Sequence, residues 1–318
     1  MDKKIKRVAM VGAGLVGVSV LYSCMNRGLA EQYGIIDIND KLSVGHSLDF
    51  EDASAANNHN FSVGKIEYSD LKDYDVVVIT AGRPQKPGET RLEMVADNAK
   101  IMSNIAKNIK KSGFKGVSIV VANPVDVMTF IYQHETGFDK NRVISSGTSL
   151  DSARLRFEIS KKLKVHPKSV QAFVLGEHGD SSVSVYSAAT VSGKSFNEIV
   201  KERGISKKEL EDMHTTVYKK AYEIINRKGS TYFGIGSTVA ELVEAILTDS
   251  HAIFGVGVYL TGQYGVKDLY IGVPTVLGSK GVVEVINFNL TKEEQEKFVS
   301  SATILKGNIQ KALEAIKG

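Results

Sequence analysis

Cysteine is almost absent from this chain: Cys24 is the single thiol in 318 residues. One thiol excludes an intramolecular disulfide and fits a reducing, cytoplasmic setting. It also removes cysteine clusters as metal ligands, and His46, His59, His134, His166, His214 and His251 stand at no spacing that would gather around zinc. Those six are expected at or near the surface, and no metal is expected. Long apolar runs are missing too. Glycine, serine or charge interrupts each one well before membrane-spanning length, and Met1–Arg7 leads straight into a strand-like segment, so neither a membrane helix nor a signal peptide is expected. An excess of one charge is likewise lacking. The 40 basic and 36 acidic residues give +4 and are mixed along the chain, which provides no nucleic-acid surface. No internal repeat or low-complexity segment is present.

What the chain does have is 42% hydrophobic residues, enough for two domains with cores of their own. Apolar β-rich runs recur at Val8–Val11, Gly34–Ile38, Asp75–Thr80 and Val117–Ala122, with helical patterns between the first two and after the third. That alternation predicts a parallel sheet covered on both faces, with ligands bound beyond the carboxyl ends of its strands. After about Ile144 the texture changes. A helix is expected over Asp151–Leu163, β-like stretches at Gln171–Leu175 and Ser182–Thr190, and helices around Lys207–Arg227 and Thr238–His251. Two more strands are expected near Leu269–Val276 and Gly281–Phe288, then a helix over Lys292–Ile316 opened by Thr291.

Gly12-Ala13-Gly14-Leu15-Val16-Gly17 follows the first strand and opens the helical run Leu15–Met25, the context a dinucleotide fingerprint requires. Gly12 permits the tight turn, Gly14 lets a pyrophosphate approach the helix N-terminus, and Gly17 lets helix and strand pack closely. Asp37 ends the second strand about twenty residues on, where a carboxylate accepts ribose hydroxyls and repels a 2′-phosphate. Ile38 and Asn39 offer that phosphate no cation, so NAD is favoured over NADP. The reading is α/β: a Rossmann-type doubly wound parallel sheet over 1–144, followed by an α+β substrate domain over 145–318. Ser192-Gly193-Lys194-Ser195 ends like a triphosphate loop, but Ala188 stands where its first glycine belongs, and it reads as a surface turn.

Two phrases carry the candidate chemistry, Leu150-Asp151-Ser152-Ala153-Arg154 and Gly176-Glu177-His178-Gly179-Asp180. On a helix Asp151 and Arg154 share a face. A carboxylate beside His178 would favour imidazolium and fix its tautomer, which suits a group that gives a proton to a carbonyl and takes it back from an alcohol. The competing reading is a structural histidine with an unrelated ion pair.

Together with Ala81–Arg91, Asn123-Pro124-Val125-Asp126, Thr231–Ile235, Gly262–Gly265 and Tyr270–Pro274, these motifs make the chain resemble the L-lactate and malate dehydrogenases nearly end to end, its lactate branch most closely. The resemblance implies reversible NADH-dependent reduction of pyruvate to L-lactate. It assigns His178 as proton donor and acceptor, Asp151 as its orienting carboxylate and Arg154 as the clamp on the substrate carboxylate. Arg91, on a closing loop, would polarise the ketone. Asn123 would bond substrate near the nicotinamide, Asp126 and Thr231 would join the substrate site, and Gly82, Val16 and Ile235 the cofactor site. Gln85 occupies the position at which malate-specific members carry arginine. A neutral amide there admits the methyl of pyruvate and disfavours a second carboxylate.

The resemblance also implies a homotetramer. Arg156 matches one half of a fructose 1,6-bisphosphate site, but Gln171 replaces the histidine of the other half, which argues against activation. Leu48–Ala53 and Gln133–Phe138 look more like branched 2-hydroxyacid (hydroxyisocaproate) dehydrogenases, so larger 2-oxo acids stay open as substrates. Malate dehydrogenase activity stays open as well, and so, in a different class, does a non-catalytic NAD-binding protein that kept the fold without the chemistry.

Overall fold

The computed structural model describes residues 5–83 and 91–317, with side chains for 5–83 and 94–316. Its centre is a sheet in which β1 (Arg7–Val11), β2 (Gln32–Ile36), β3 (Ser62–Lys65), β4 (Val76–Ile79), β5 (Val117–Val120) and β6 (Val143–Ser145) run parallel in the order 3-2-1-4-5-6. Every residue of β4 and β5 is buried, as unbroken apolar runs covered on both faces require. The order reverses between β1 and β4, which opens a crevice beyond their carboxyl ends. Helices α1 (Leu15–Asn26), α2 (Asp40–Ser54), α3 (Arg91–Ser112) and α4 (Val125–Thr136) connect these strands, and α5 (Ser149–Leu163) leads out of β6.

A second, three-stranded antiparallel sheet follows: β7 (Val170–Leu175), β8 (Val183–Val191) and β9 (Lys194–Ser195). It shares a separate core with α5, α6 (Phe196–Arg203) and α7 (Lys207–Lys228), built on Leu155, Ile159, Val174, Phe196 and Val217. The chain then returns to the first sheet through α8 (Phe233–Thr248), β10 (Ala252–Thr261), β11 (Lys267–Gly278) and β12 (Gly281–Val285), and closes with α9 (Lys292–Lys317). Capping explains where the long helices start. Ser206 and Glu209 satisfy each other's backbone N–H groups at α7, and Thr291 and Glu294 do so at α9.

Several elements differ from expectation for identifiable reasons. β3 and β6 are too short and too mixed to stand out as apolar runs, and the glycines of β10 hide its alternation. Helices α2 and α6 fall outside the expected elements. Helix α8 begins five residues before the expected Thr238 and stops at Thr248, where Asp249 takes a left-handed cap at φ 51°. Gly236 in its first turn lowers helix propensity, yet a Cβ there would stand 2.9 Å from the Ser19 backbone of α1, so close helix packing requires glycine. The expected division at 144 falls inside β6, whose Ser145 pairs antiparallel with Gly257 of β10. The second half of the chain thereby covers an edge of the first sheet. Ser192 and Gly193 form the turn joining β8 to β9, both at positive φ. Among the described residues, no helix is long and apolar enough to cross a membrane.

Candidate active site

The glycine turn leaves β1 and caps α1 in the crevice. Gly12 sits at φ 105°, and a Cβ on it would come within 2.6 Å of the Ala81 nitrogen after β4. A Cβ on Gly17 would overlap the Gly12 carbonyl oxygen. Gly14 differs, because a Cβ there would meet nothing within 4 Å: the space before the N-terminus of α1 is open, as a cradle for pyrophosphate must be. Asp37, just past β2, accepts from Ala13 N–H at 2.7 Å and Asn39 N–H at 2.9 Å, which places a carboxylate at the rim of the turn with lone pairs to spare. Val16 on α1 and Ile235 on α8 are half-buried apolar neighbours of the main core.

Beyond β4 and β5, one buried side chain organises the crevice. Asn98 of α3 accepts from Arg83 N–H at 2.9 Å and donates to the carbonyls of Arg83 at 3.2 Å and Asn123 at 3.0 Å, tying the two strand exits together beside Gly82. Sequence reading missed Asn98. Its signal is a polar residue on the buried stripe formed by Val95, Met102, Ile105 and Ile109.

His178 lies on the segment between β7 and β8, and three successive N–H groups of that segment are pinned to three different elements. Gly176 bonds the Gly272 carbonyl of β11 at 3.0 Å, Glu177 bonds Ser301 Oγ of α9 at 2.9 Å, and His178 bonds Asp126 Oδ2 of α4 at 2.8 Å. The imidazole Nδ1 is 2.6 Å from Asp151 Oδ2, while Arg154 donates to the other oxygen, Oδ1, at 3.2 Å. One carboxylate therefore orients the ring and braces the guanidinium. The ring is 29% exposed, whereas Asp151 and Arg154 are nearly buried at 6% and 8%. Asn123, Asp151, Arg154, His178, Met94 and Tyr222 help to line a cleft of about 290 Å³.

The electrostatics follow from this packing. The Asp151 charge, against the cost of burial, raises the His178 pKa and so favours imidazolium. Burial works against ionised Asp151, but the combined attraction of His178 and Arg154 outweighs it and holds the carboxyl below its ordinary value. Asp126 has weaker support, and burial pushes it up to about 7. A larger cavity of about 580 Å³ lies between β8, α7 and α9, but its lining includes none of Asn123, Asp151, Arg154 or His178.

Two further expected substrate-site residues are placed as follows. Asp126 does not line the cleft: it is 2% exposed and sits behind His178, bonded to that residue's backbone, because the first turn of α4 faces the interior. Thr231 is half-buried between α7 and α8, and Tyr218, Ala221 and Tyr222 of α7 help to line the cleft. Gln85 and the rest of the segment preceding α3 lie outside the described residues, as does the side chain of Arg91.

Comparison with known proteins covers the whole chain. The lactate/malate dehydrogenase NAD-binding domain matches residues 6–145, and the alpha/beta C-terminal domain of the same family matches 148–316. L-lactate dehydrogenase of Mesoplasma florum is 48% identical over 316 residues, 99% of this chain and 100% of that protein. The enzyme of that name in Mycoplasma genitalium is 48% identical over 307 residues, 96% of this chain and 98% of its own. The crystal structure of the minor L-lactate dehydrogenase from Enterococcus mundtii in its ligands-bound form superposes with a TM-score of 0.95 at 40% identity, covering 97% of this chain and 98% of that one.

Proposed function

The chain belongs to the lactate/malate dehydrogenase family, and on that premise we propose that it catalyses the reversible NADH-dependent reduction of pyruvate to L-lactate. The observation that carries the reading is the double use of Asp151, which joins a proton donor to a guanidinium on the wall of one small cleft. The open space at Gly14, the backbone around Val16 and Gly17, and the carboxylate of Asp37 suit NAD, with Gly82, Asn123 and Ile235 completing its site. When bound, the reduced nicotinamide supplies the hydride. The chain's own groups do the rest. Arg154 holds the substrate carboxylate, a pairing its planar fork of donors can make while still bonded to Asp151. Asn123 fixes the substrate at the cofactor side of the cleft.

His178 gives its Nε2 proton to the ketone oxygen as negative charge develops there, and ends neutral with Nδ1–H still on Asp151. Lactate oxidation runs the same transfer backwards. The family resemblance supports Arg91 as the polarising cation and Gln85 as the residue that admits a methyl group. Loss of NADH absorbance with pyruvate, oxaloacetate and 2-oxoisocaproate tests this directly. Pyruvate is expected to be fastest. Faster turnover of oxaloacetate or 2-oxoisocaproate would replace the substrate assignment, and inactivity with all three would leave a non-catalytic NAD-binding protein.

The working enzyme is proposed to be a cytoplasmic homotetramer. Exposed Leu15, Tyr22 and Phe233 around a groove of about 510 Å³ support contact with a second copy, and the single buried thiol suits a reducing compartment. Exposed Gln171 on β7 gives half-buried Arg156 no cationic companion, which supports activity without fructose 1,6-bisphosphate.

A further inference from the structure

Asp126 is a buried carboxylate with too few partners for a purely structural acid. Oδ2 takes the His178 N–H, while Oδ1 has no hydrogen-bond partner among the described residues. It abuts Gly257 of β10 so closely that a Cβ there would stand 2.9 Å away, and it shares that corner with Ser145 of β6. Both neighbours are uncharged. The charged groups that face Asp126 are His178 and Glu177 on the catalytic segment and Asp151 on α5. A neutral amide could hold the same N–H with less desolvation, so the use of an acid here needs a reason.

The placement supplies one. Asp126 lies three residues after Asn123, in the first turn of α4, and it grips the backbone of His178, while Asn123 and His178 both line the cleft. The ring is oriented by Asp151 from α5, but the position of the whole residue along the cleft is set from α4. We propose that Asp126 is a positioning residue for proton transfer: its bond to the His178 backbone fixes where the imidazole stands in the cleft. Once ionised, above its raised value of about 7, it also faces His178 as a second negative neighbour beside Asp151. This rests on the reading of His178 as proton donor.

The test compares Asp126→Ala with the isosteric Asp126→Asn, using NADH and pyruvate. Loss of the bond lets His178 drift, so Asp126→Ala should lower kcat by roughly 10- to 100-fold. Its KM for pyruvate should change far less, because Arg154 keeps its own support. Asp126→Asn, whose amide oxygen can still accept the N–H, should recover most of kcat. It should also shift the alkaline limb of the pyruvate-reduction profile to lower pH, since a negative neighbour of His178 is gone.

If Asp126→Ala is too unstable to assay, the limb shift in Asp126→Asn decides. Wild-type-like kcat in Asp126→Ala, or an unshifted limb in Asp126→Asn, overturns the proposal. NADH affinity and Tm, measured in parallel, show whether a loss is merely structural. A wild-type chain that turns over pyruvate while Asp126→Ala matches it removes only the role of Asp126, whereas an inactive wild type removes the assignment of His178 as well.

Discussion

The glycine turn and the His178 cluster are two ways of building a site. The turn spans six consecutive residues and works through backbone: its glycines matter for the atoms they lack, at a crowded crossing for Gly12 and Gly17 and at an open mouth for Gly14. The cluster works through side chains, and its members Asp126, Asp151, Arg154 and His178 come from α4, α5 and the β7–β8 segment. A contiguous backbone site is defined by local sterics, so one added methyl disturbs it. A dispersed side-chain site depends on how elements pack, and its failure shows in chemistry more than in binding.

That contrast predicts where each change should register. His178→Gln removes the proton donor and should lower kcat for pyruvate reduction by roughly 10³-fold, with NADH affinity unchanged when measured by fluorescence titration. A smaller loss, roughly 10- to 100-fold, is expected for Asp151→Asn, together with a pH signature. Without Asp151 the His178 pKa falls, so imidazolium is lost earlier and the alkaline limb of pyruvate reduction moves to lower pH.

The same pair contributes stability with a definite window. Asp151, held below its ordinary value, contributes above the unfolded carboxyl pKa of about 3.9 and loses that as pH falls through its own lowered value. His178, held above its ordinary value, contributes fully below about 6.5 and loses that as pH rises through its raised value. The Tm difference between wild type and Asp151→Asn should therefore be largest in mildly acidic buffer and shrink towards both ends.

The smallest catalytic effect is expected at the turn. Gly17→Ala forces α1 away from the Gly12 carbonyl, which should weaken NADH binding about tenfold and cost about 1–3 kcal/mol of stability, visible in thermal melts. At saturating NADH, kcat should be nearly preserved. A kcat loss in Gly17→Ala as large as its affinity loss would break the separation between the two regions.

Legibility follows the same line. Buried parallel strands β1, β4 and β5, the glycine turn and the paired phrases around Asp151 and His178 all announce themselves within short windows. Short strands β3 and β6 do not, because four or three residues carry no periodicity. Asn98 and Ser301 are hidden for a different reason. Each is one polar residue on an otherwise apolar buried helix face, Ser301 between Phe298 and Leu305, and only the neighbour across the interface shows what it holds. For Asp126 the chain shows that it is near Asn123 and nothing about which way α4 turns, so its bond to the His178 backbone is not legible there.

By itself, then, the sequence determined the parallel sheet, the cofactor turn and the fit to NAD, because those rest on local sterics and on the chemistry of individual side chains, and it pointed to His178, Asp151 and Arg154 as candidates for the reacting groups. Only the tertiary structure decided that one Asp151 serves both His178 and Arg154, that three elements pin the catalytic segment, and that Asp126 stands behind the imidazole. These are relations between segments distant in the chain, and they come into being only when packing brings their surfaces together.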